Sequence, residues 1–273
     1  MISFDSFKKN AGSFNDDKLF CLLTGVRGAG KSTAIGTLNV PTFLIASALE
    51  SHAIEAAKLL NSNIIPTLYD VDDNGKQLKP DAALINLNNI LDFLISSDDL
   101  LKNVEAIALD SMSAVDKTLL ETSRVLSEKN GFEKMKIVEQ EHLKIIKKLK
   151  EIHRRKVHVL ATMPIMAIYD ENGLYASAKP ELSGVTTTSN IAGNFNDVLV
   201  VGCMNGQYVF QMDLLIKKTG KEMSGADKQI VFHPRITGLS KQDLIAAAGE
   251  ALLLPADLDY VYQLKKAKKG VSE

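Results

Sequence analysis

Tryptophan is missing altogether from the 273 residues, and cysteine occurs only twice, at Cys21 and Cys203. Two cysteines, one of them inside an apolar run, exclude a disulfide framework and fit a reducing compartment. An excess of either charge is also lacking: 32 Lys and Arg against 33 Asp and Glu leave a net charge of -1. That balance excludes a general affinity for nucleic acid, so any attraction to phosphate must come from a local patch. Long hydrophobic runs are missing too. Nothing approaches the ~20 apolar residues of a membrane span, and residues 1–17 hold no apolar stretch of signal-peptide length. These absences predict a cytoplasmic protein with no membrane partner.

What remains has the composition of an ordinary globular chain, 45% hydrophobic and 24% charged, which argues against disorder or a fibrous repeat. No internal repeat and no Pro- or Gly-rich linker interrupts it. The simplest organisation is an N-terminal extension over 1–17, one domain over 18–245, and a C-terminal helix with a basic tail over 246–273. Short apolar runs alternate with longer stretches of helical periodicity, the pattern of an α/β fold with a mostly parallel sheet flanked by helices. Strands are expected at 19–24, 42–47, 104–109, 157–162, 197–202 and 208–212. Helices are expected at 31–38, 52–60, 82–96 and 132–155, the last with Met135, Val138, Leu143, Ile146 and Leu149 on one buried face. Beyond Gly202 the pattern changes. Segments 207–216 and 228–232 read as antiparallel edge strands around a polar turn at 219–225, and 240–253 as a short helix before the basic run Lys265, Lys266, Lys268 and Lys269.

The most specific signal is Gly25, Val26, Arg27, Gly28, Ala29, Gly30, Lys31, Ser32. Its glycines let the backbone curl so that N–H groups face phosphate oxygens, Lys31 reaches the β- and γ-phosphates, and the Ser32 hydroxyl ligates Mg²⁺. An apolar strand enters this P-loop and a helix leaves it, with Thr33 completing the nucleotide-binding stretch. The natural partner is the apolar strand that ends in Asp110, whose carboxylate would sit beside the P-loop and hold Mg²⁺ through its water shell. ATP and Mg²⁺ are the cofactors these motifs call for. Hydrolysis also needs a group to activate water. Ser111 follows Asp110 where many such ATPases place Glu, so the acid must come from elsewhere, and Glu50 lies just past the second strand at the same sheet edge. The alternative for Glu50 is a helix-terminal acid favoured by the dipole.

The P-loop, the Leu109-Asp110-Ser111 strand end and the run Glu50-Ser51-His52-Ala53 together resemble the RecA-like ATPase core over about residues 19–239. The chain is similar to a phage-encoded branch of RecA/KaiC-like nucleotide-binding proteins, some of which accompany single-strand annealing. That resemblance implies a RecA-like P-loop core, ATP hydrolysis at the interfaces of a homo-oligomer, and loops after the third and fourth core strands that face single-stranded DNA. It also implies a role in phage recombination or replication, in the host cytoplasm, with an annealing or single-strand-binding protein as partner. Glu50 then matches the water-activating acid. Thr162 stands near the strand end where RecA itself carries a γ-phosphate-sensing Gln, and is a weaker sensor. Lys217, Lys218 and Lys221 are candidates for a finger reaching a neighbour's γ-phosphate. The alternative is a Lys-rich edge that discourages strand aggregation.

Between Pro164 and Asn196 the sequence makes a long excursion, with Asn172-Gly173 as a hairpin-turn signal. Tyr169 and Tyr175 are candidate base-stacking platforms and Lys179 a candidate phosphate contact. Acidic Asp170 and Glu171 at the tip speak for a merely decorative hairpin. Asp70, Asp72, Asn74 and Gly75 mimic the start of a calcium loop, but Lys76 and the absence of a terminal Glu favour a solvated turn. The five histidines show no zinc spacing. The basic run from Lys144 to Lys156 reads as a solvated face with Glu139, Glu141 and Glu151 as counter-charges, a DNA groove being the alternative. Competing functions are a packaging or assembly motor, disfavoured by Asp110-Ser111, and a nucleotide-gated interaction protein with little turnover. A small-molecule kinase is disfavoured by the lack of an Arg-rich lid.

Overall fold

A computed structural model describes residues 18–169, 175–183, 191–212 and 234–270, with backbone alone at 167–169, 175–179 and 270. Its centre is a row of eight strands, to which a ninth is attached. In chain order they are β1 (Phe20–Gly25), β2 (Thr42–Ala46), β3 (Ile64–Leu68), β4 (Ala106–Asp110), β5 (His158–Tyr169), β6 (Tyr175–Pro180), β7 (Asp197–Met204), β8 (Gln207–Gln211) and β9 (Leu253–Pro255). The row runs β3-β2-β4-β5-β1-β7-β8-β9, with β6 paired to the outer part of β5. Pairings from β3 to β7 are parallel, and β7-β8, β8-β9 and β5-β6 are antiparallel. The antiparallel edge expected near the C-terminus is present, but β9 supplies its outer strand. Segments 219–225 and 228–232 lie outside the described residues.

The helices are α1 (Lys31–Gly36), α2 (His52–Lys58), α3 (Pro80–Ser96), α4 (Asp98–Asn103), α5 (Met112–Leu120), α6 (Ser123–Ser127), α7 (Gly131–Arg154), α8 (Lys241–Ala248) and α9 (Leu258–Gly270). They cover both faces of the sheet. In β1, Phe20 and Leu22 face one apolar cluster shared with α3, α5 and α7, while Cys21 and Leu23 face a second shared with α1, α8 and α9. Burial on both faces explains why the central strands read as unbroken apolar runs rather than alternating ones.

Three departures from the sequence reading have physical causes. β3 was not expected, because Pro66 sits at its middle; as an edge strand it needs no hydrogen bond from that nitrogen on its open side. On α7, Leu143 is 37% exposed and His142 is buried in its stead. The cause is Asp116 on α5, whose carboxylate meets His142 Nε2 at 2.9 Å and accepts bonds from the Ser183 N–H and hydroxyl. The expected basic tail is α9, and its Leu258 and Val261 join the core. One turn further on, Lys265 is buried too, with Nζ 3.0 and 2.8 Å from the two Asp197 carboxylate oxygens. The expected helix at 240–253 stops at Ala248, where Gly249 takes a φ of 75° and turns the chain into β9. No helix among the described residues is long and apolar enough to cross a membrane.

Candidate active site

Parallel strands deliver their last residues to one edge of the sheet, and here that edge carries the glycine-rich loop 25–32. β1 ends at Gly25, where a side chain would collide with the Val201 carbonyl oxygen at 2.3 Å. The loop closes through the Ala29 N–H on the Val26 carbonyl at 3.2 Å. Gly30, at a φ of 90°, lies under the Tyr208 ring, and a Cβ there would come within 2.7 Å of it. Lys31 is only 8% exposed and folds back across the loop. Its ammonium donates to the carbonyls of Gly25 at 3.0 Å and Val26 at 2.9 Å. Burial lowers its pKa, while the nearby Asp110, Glu181 and Glu50 charges act in the opposite sense.

Asp110 closes β4 with both oxygens engaged. Ser32 Oγ donates to Oδ2 at 2.6 Å, and Thr162 Oγ1 donates to Oδ1. Strand order accounts for this, since β5 lies between β1 and β4 and brings Thr162 level with the other two. The Asp110-Ser111 peptide is cis. Ser111 Oγ donates to Glu50 Oε2 at 2.7 Å and also accepts from the Ala114 N–H, capping α5. Glu50 itself ends a short 3₁₀ turn, Ala48–Glu50. Behind that turn stands Asp70, 2% exposed, which accepts from Ser47 Oγ at 2.5 Å and from the Ala48 N–H at 2.7 Å. The calcium-like run thus divides its labour: Asp70 supports the Glu50 turn, and Asp72 accepts from the Asn74 and Lys76 N–H groups in an exposed turn.

These groups line a cleft of about 740 Å³ that includes Arg27, Lys31, Ser32, Glu50, Asp110 and Tyr208. Two contacts made to this site were not visible in the sequence. Tyr208 comes from β8 and covers Gly30. Glu181, just past β6, grips Arg27: the arginine Nε lies 3.1 and 3.0 Å from the two carboxylate oxygens and Nη2 lies 2.9 Å from one of them. That contact raises the pKa of the arginine further. A contact across 154 residues leaves no local signal in the sequence.

Gly25, Val26, Arg27, Gly28, Ala29, Gly30, Lys31, Ser32, Thr33, Glu50, Asp110 and Thr162 therefore cluster at one sheet edge. Lys217, Lys218 and Lys221 lie outside the described residues. Tyr169, Tyr175 and Lys179 fall on the β5-β6 hairpin, whose backbone alone is described there. On α7, Lys144 pairs with Glu141 and Lys148 with Asp92 of α3, so part of the basic run has counter-charges in place. Among the described residues no group of three or more His, Cys, Asp or Glu could hold a metal. Ser32 Oγ and Asp110 Oδ2 do converge as two hard oxygen donors, the number Mg²⁺ takes from protein when water and phosphate complete its shell. No protein-family model matches the chain, and no curated protein is significantly similar to it in sequence.

Proposed function

We propose that this chain is a P-loop ATPase with a RecA-like core. The observation that carries the proposal is the convergence of Ser32 and Thr162 on the two oxygens of Asp110, beside a P-loop whose lysine is held over its own carbonyls. Loop N–H groups bind the phosphates, and Lys31 exchanges the Gly25 and Val26 carbonyls for phosphate oxygens. Ser32 and Asp110 would hold Mg²⁺, which would neutralise phosphate charge when bound. Glu50 takes the proton of the attacking water, and Ser111, donating to Oε2, fixes the carboxylate so that its other oxygen faces the cleft chemistry. Thr162 reports the terminal phosphate to β5.

The proposed substrate of the machine is single-stranded DNA, contacted by the β5-β6 hairpin with Tyr169, Tyr175 and Lys179, in a homo-oligomer whose Lys217, Lys218 or Lys221 reaches a neighbouring site. An annealing or single-strand-binding protein is the proposed partner in phage recombination or replication. Support for this part is the hairpin that grows directly out of the Thr162 strand, together with the resemblance. The test is ATP turnover with Mg²⁺, with and without single-stranded DNA, for wild type and Lys31→Ala. Turnover that rises with DNA and vanishes in a folded Lys31→Ala protein is expected. Wild-type-like turnover in Lys31→Ala overturns the P-loop assignment, and turnover indifferent to DNA overturns the DNA reading alone.

A further inference from the structure

The P-loop carries a cation that its phosphate-binding role does not require. Arg27 stands between Val26 and Gly28, and its side chain is 65% exposed, whereas that of its partner Glu181 is 18% exposed. Glu181 is the anchored member of the pair. Its N–H donates to the Pro164 carbonyl at 2.9 Å, and Pro164 is the register partner of Gly25, the first residue of the loop. Arg27 is the member free to turn. It is within electrostatic reach of Glu50, and Glu181 is within reach of Lys31. Arg27 lines the cleft together with Glu50, Lys31 and Pro164, the residue to which Glu181 is bonded, so the arginine stands where a terminal phosphate would be addressed.

A guanidinium fits a carboxylate and a phosphate with the same two-pronged geometry. An exposed arginine-carboxylate pair gains little from its attraction because water screens it. A terminal phosphate brings more charge and more acceptor oxygens than Glu181 offers. From this geometry, and resting on the nucleotide reading above, we propose that Arg27 distinguishes nucleoside triphosphate from diphosphate. Glu181 is the carboxylate that holds Arg27 until a γ-phosphate takes it. The exchange frees Glu181 at the root of the β5-β6 hairpin, so triphosphate occupancy is registered where the hairpin leaves the sheet.

The experiment is calorimetric titration with ATP and with ADP, both with Mg²⁺, on wild type, Arg27→Ala, Arg27→Lys, Glu181→Gln and Lys31→Ala. Arg27→Ala weakens ATP by about tenfold, the scale of one charge-assisted contact, and leaves ADP within about twofold. Arg27→Lys keeps the charge without the fork and falls between. Glu181→Gln, isosteric and without the competing charge, tightens ATP relative to ADP by about threefold, a fraction of such a contact. An unchanged ATP-to-ADP ratio in both Arg27→Ala and Glu181→Gln overturns the inference, as does an equal loss of both nucleotides in Arg27→Ala. If wild type binds and Lys31→Ala does not while those ratios stay fixed, only the Arg27 assignment fails. If wild type binds neither nucleotide, the ATPase reading falls and takes this inference with it.

Discussion

At the amino end of the sheet Asp197 meets Lys265 and His158 meets Leu19, whereas at the carboxyl end Asp110 meets Ser32 and Thr162, and Glu50 meets Ser111. Both ends bury polar groups, but the amino end is roofed. α9 lays Lys265 on Asp197, the Thr237 N–H adds a second donor at 2.8 Å, and Tyr262 sets its ring edge-on against His158 at 4.6 Å. Among the described residues the carboxyl end has no such roof. Its carboxylates are held by small hydroxyls that larger ligands can displace, and they border an open cleft. Polar burial under cover serves stability; polar burial at an opening keeps charge poised for a ligand.

Substitutions at the two ends should therefore separate stability from turnover. The largest effect is expected from Lys265→Ala, which strands the Asp197 carboxylate and should cost about 3–5 kcal/mol. Urea unfolding measures it, and a loss below about 1 kcal/mol would show that water reaches Asp197 despite α9. At the other end Glu50→Gln should slow ATP hydrolysis at least ~100-fold while leaving unfolding and nucleotide affinity near wild type. If it hydrolyses normally and Asp110→Asn does not, the base has been misplaced.

The smallest effect is a pH slope. Burial, helped by the Lys18, His153 and Lys265 charges, lowers the pKa of His158 to about 3, and the Leu19 N–H bonded to Nδ1 favours the neutral ring. The unfolded chain takes up this proton near pH 6.5 and the folded one does not, so stability is full above that pH. It is lost as pH falls toward about 3, by up to about 1.4 kcal/mol per pH unit. Unfolding of wild type and His158→Gln between pH 7 and 4 should show a shallower slope in the variant. Parallel slopes would mean that His158 is protonated in the fold.

What could be read from the sequence follows from the range of the forces involved. The glycine-rich loop between β1 and α1 is a local backbone device, and the strand-loop-helix order around Gly25 to Ser32 could be read from spacing and flanking pattern. Asp110 and Glu50 could be placed because parallel strands end at one edge, a rule that needs only strand direction. Asp70 was legible as an acidic turn but not as the support for Glu50, since its partners lie 22 and 23 residues away. Glu181 and Tyr208 were invisible, because their meeting with Arg27 and Gly30 depends on which strands become neighbours. Lys265 was misread for a related reason: lysines predict solvent, and only the apolar stripe of Leu258 and Val261 turns one of them inward.

β5 has a mechanical consequence. One unbroken strand runs from His158, between β1 and β4, through Thr162 at Asp110, and on to Tyr169 beyond the edge of the sheet. The sheet clamps it on both sides up to Ala161 and on the β1 side alone as far as Pro164, so it is a beam fixed at one end with Thr162 near the fulcrum. Seven residues separate Thr162 from Tyr169, an arm of about 23 Å at about 3.3 Å per residue. A tilt of about 5° at the fulcrum displaces the far end of such an arm by about 2 Å. Stiffness of this kind carries a sub-ångström shift beside Asp110 outward along β5 as far as Ile168, where the register with β6 changes just before Tyr169.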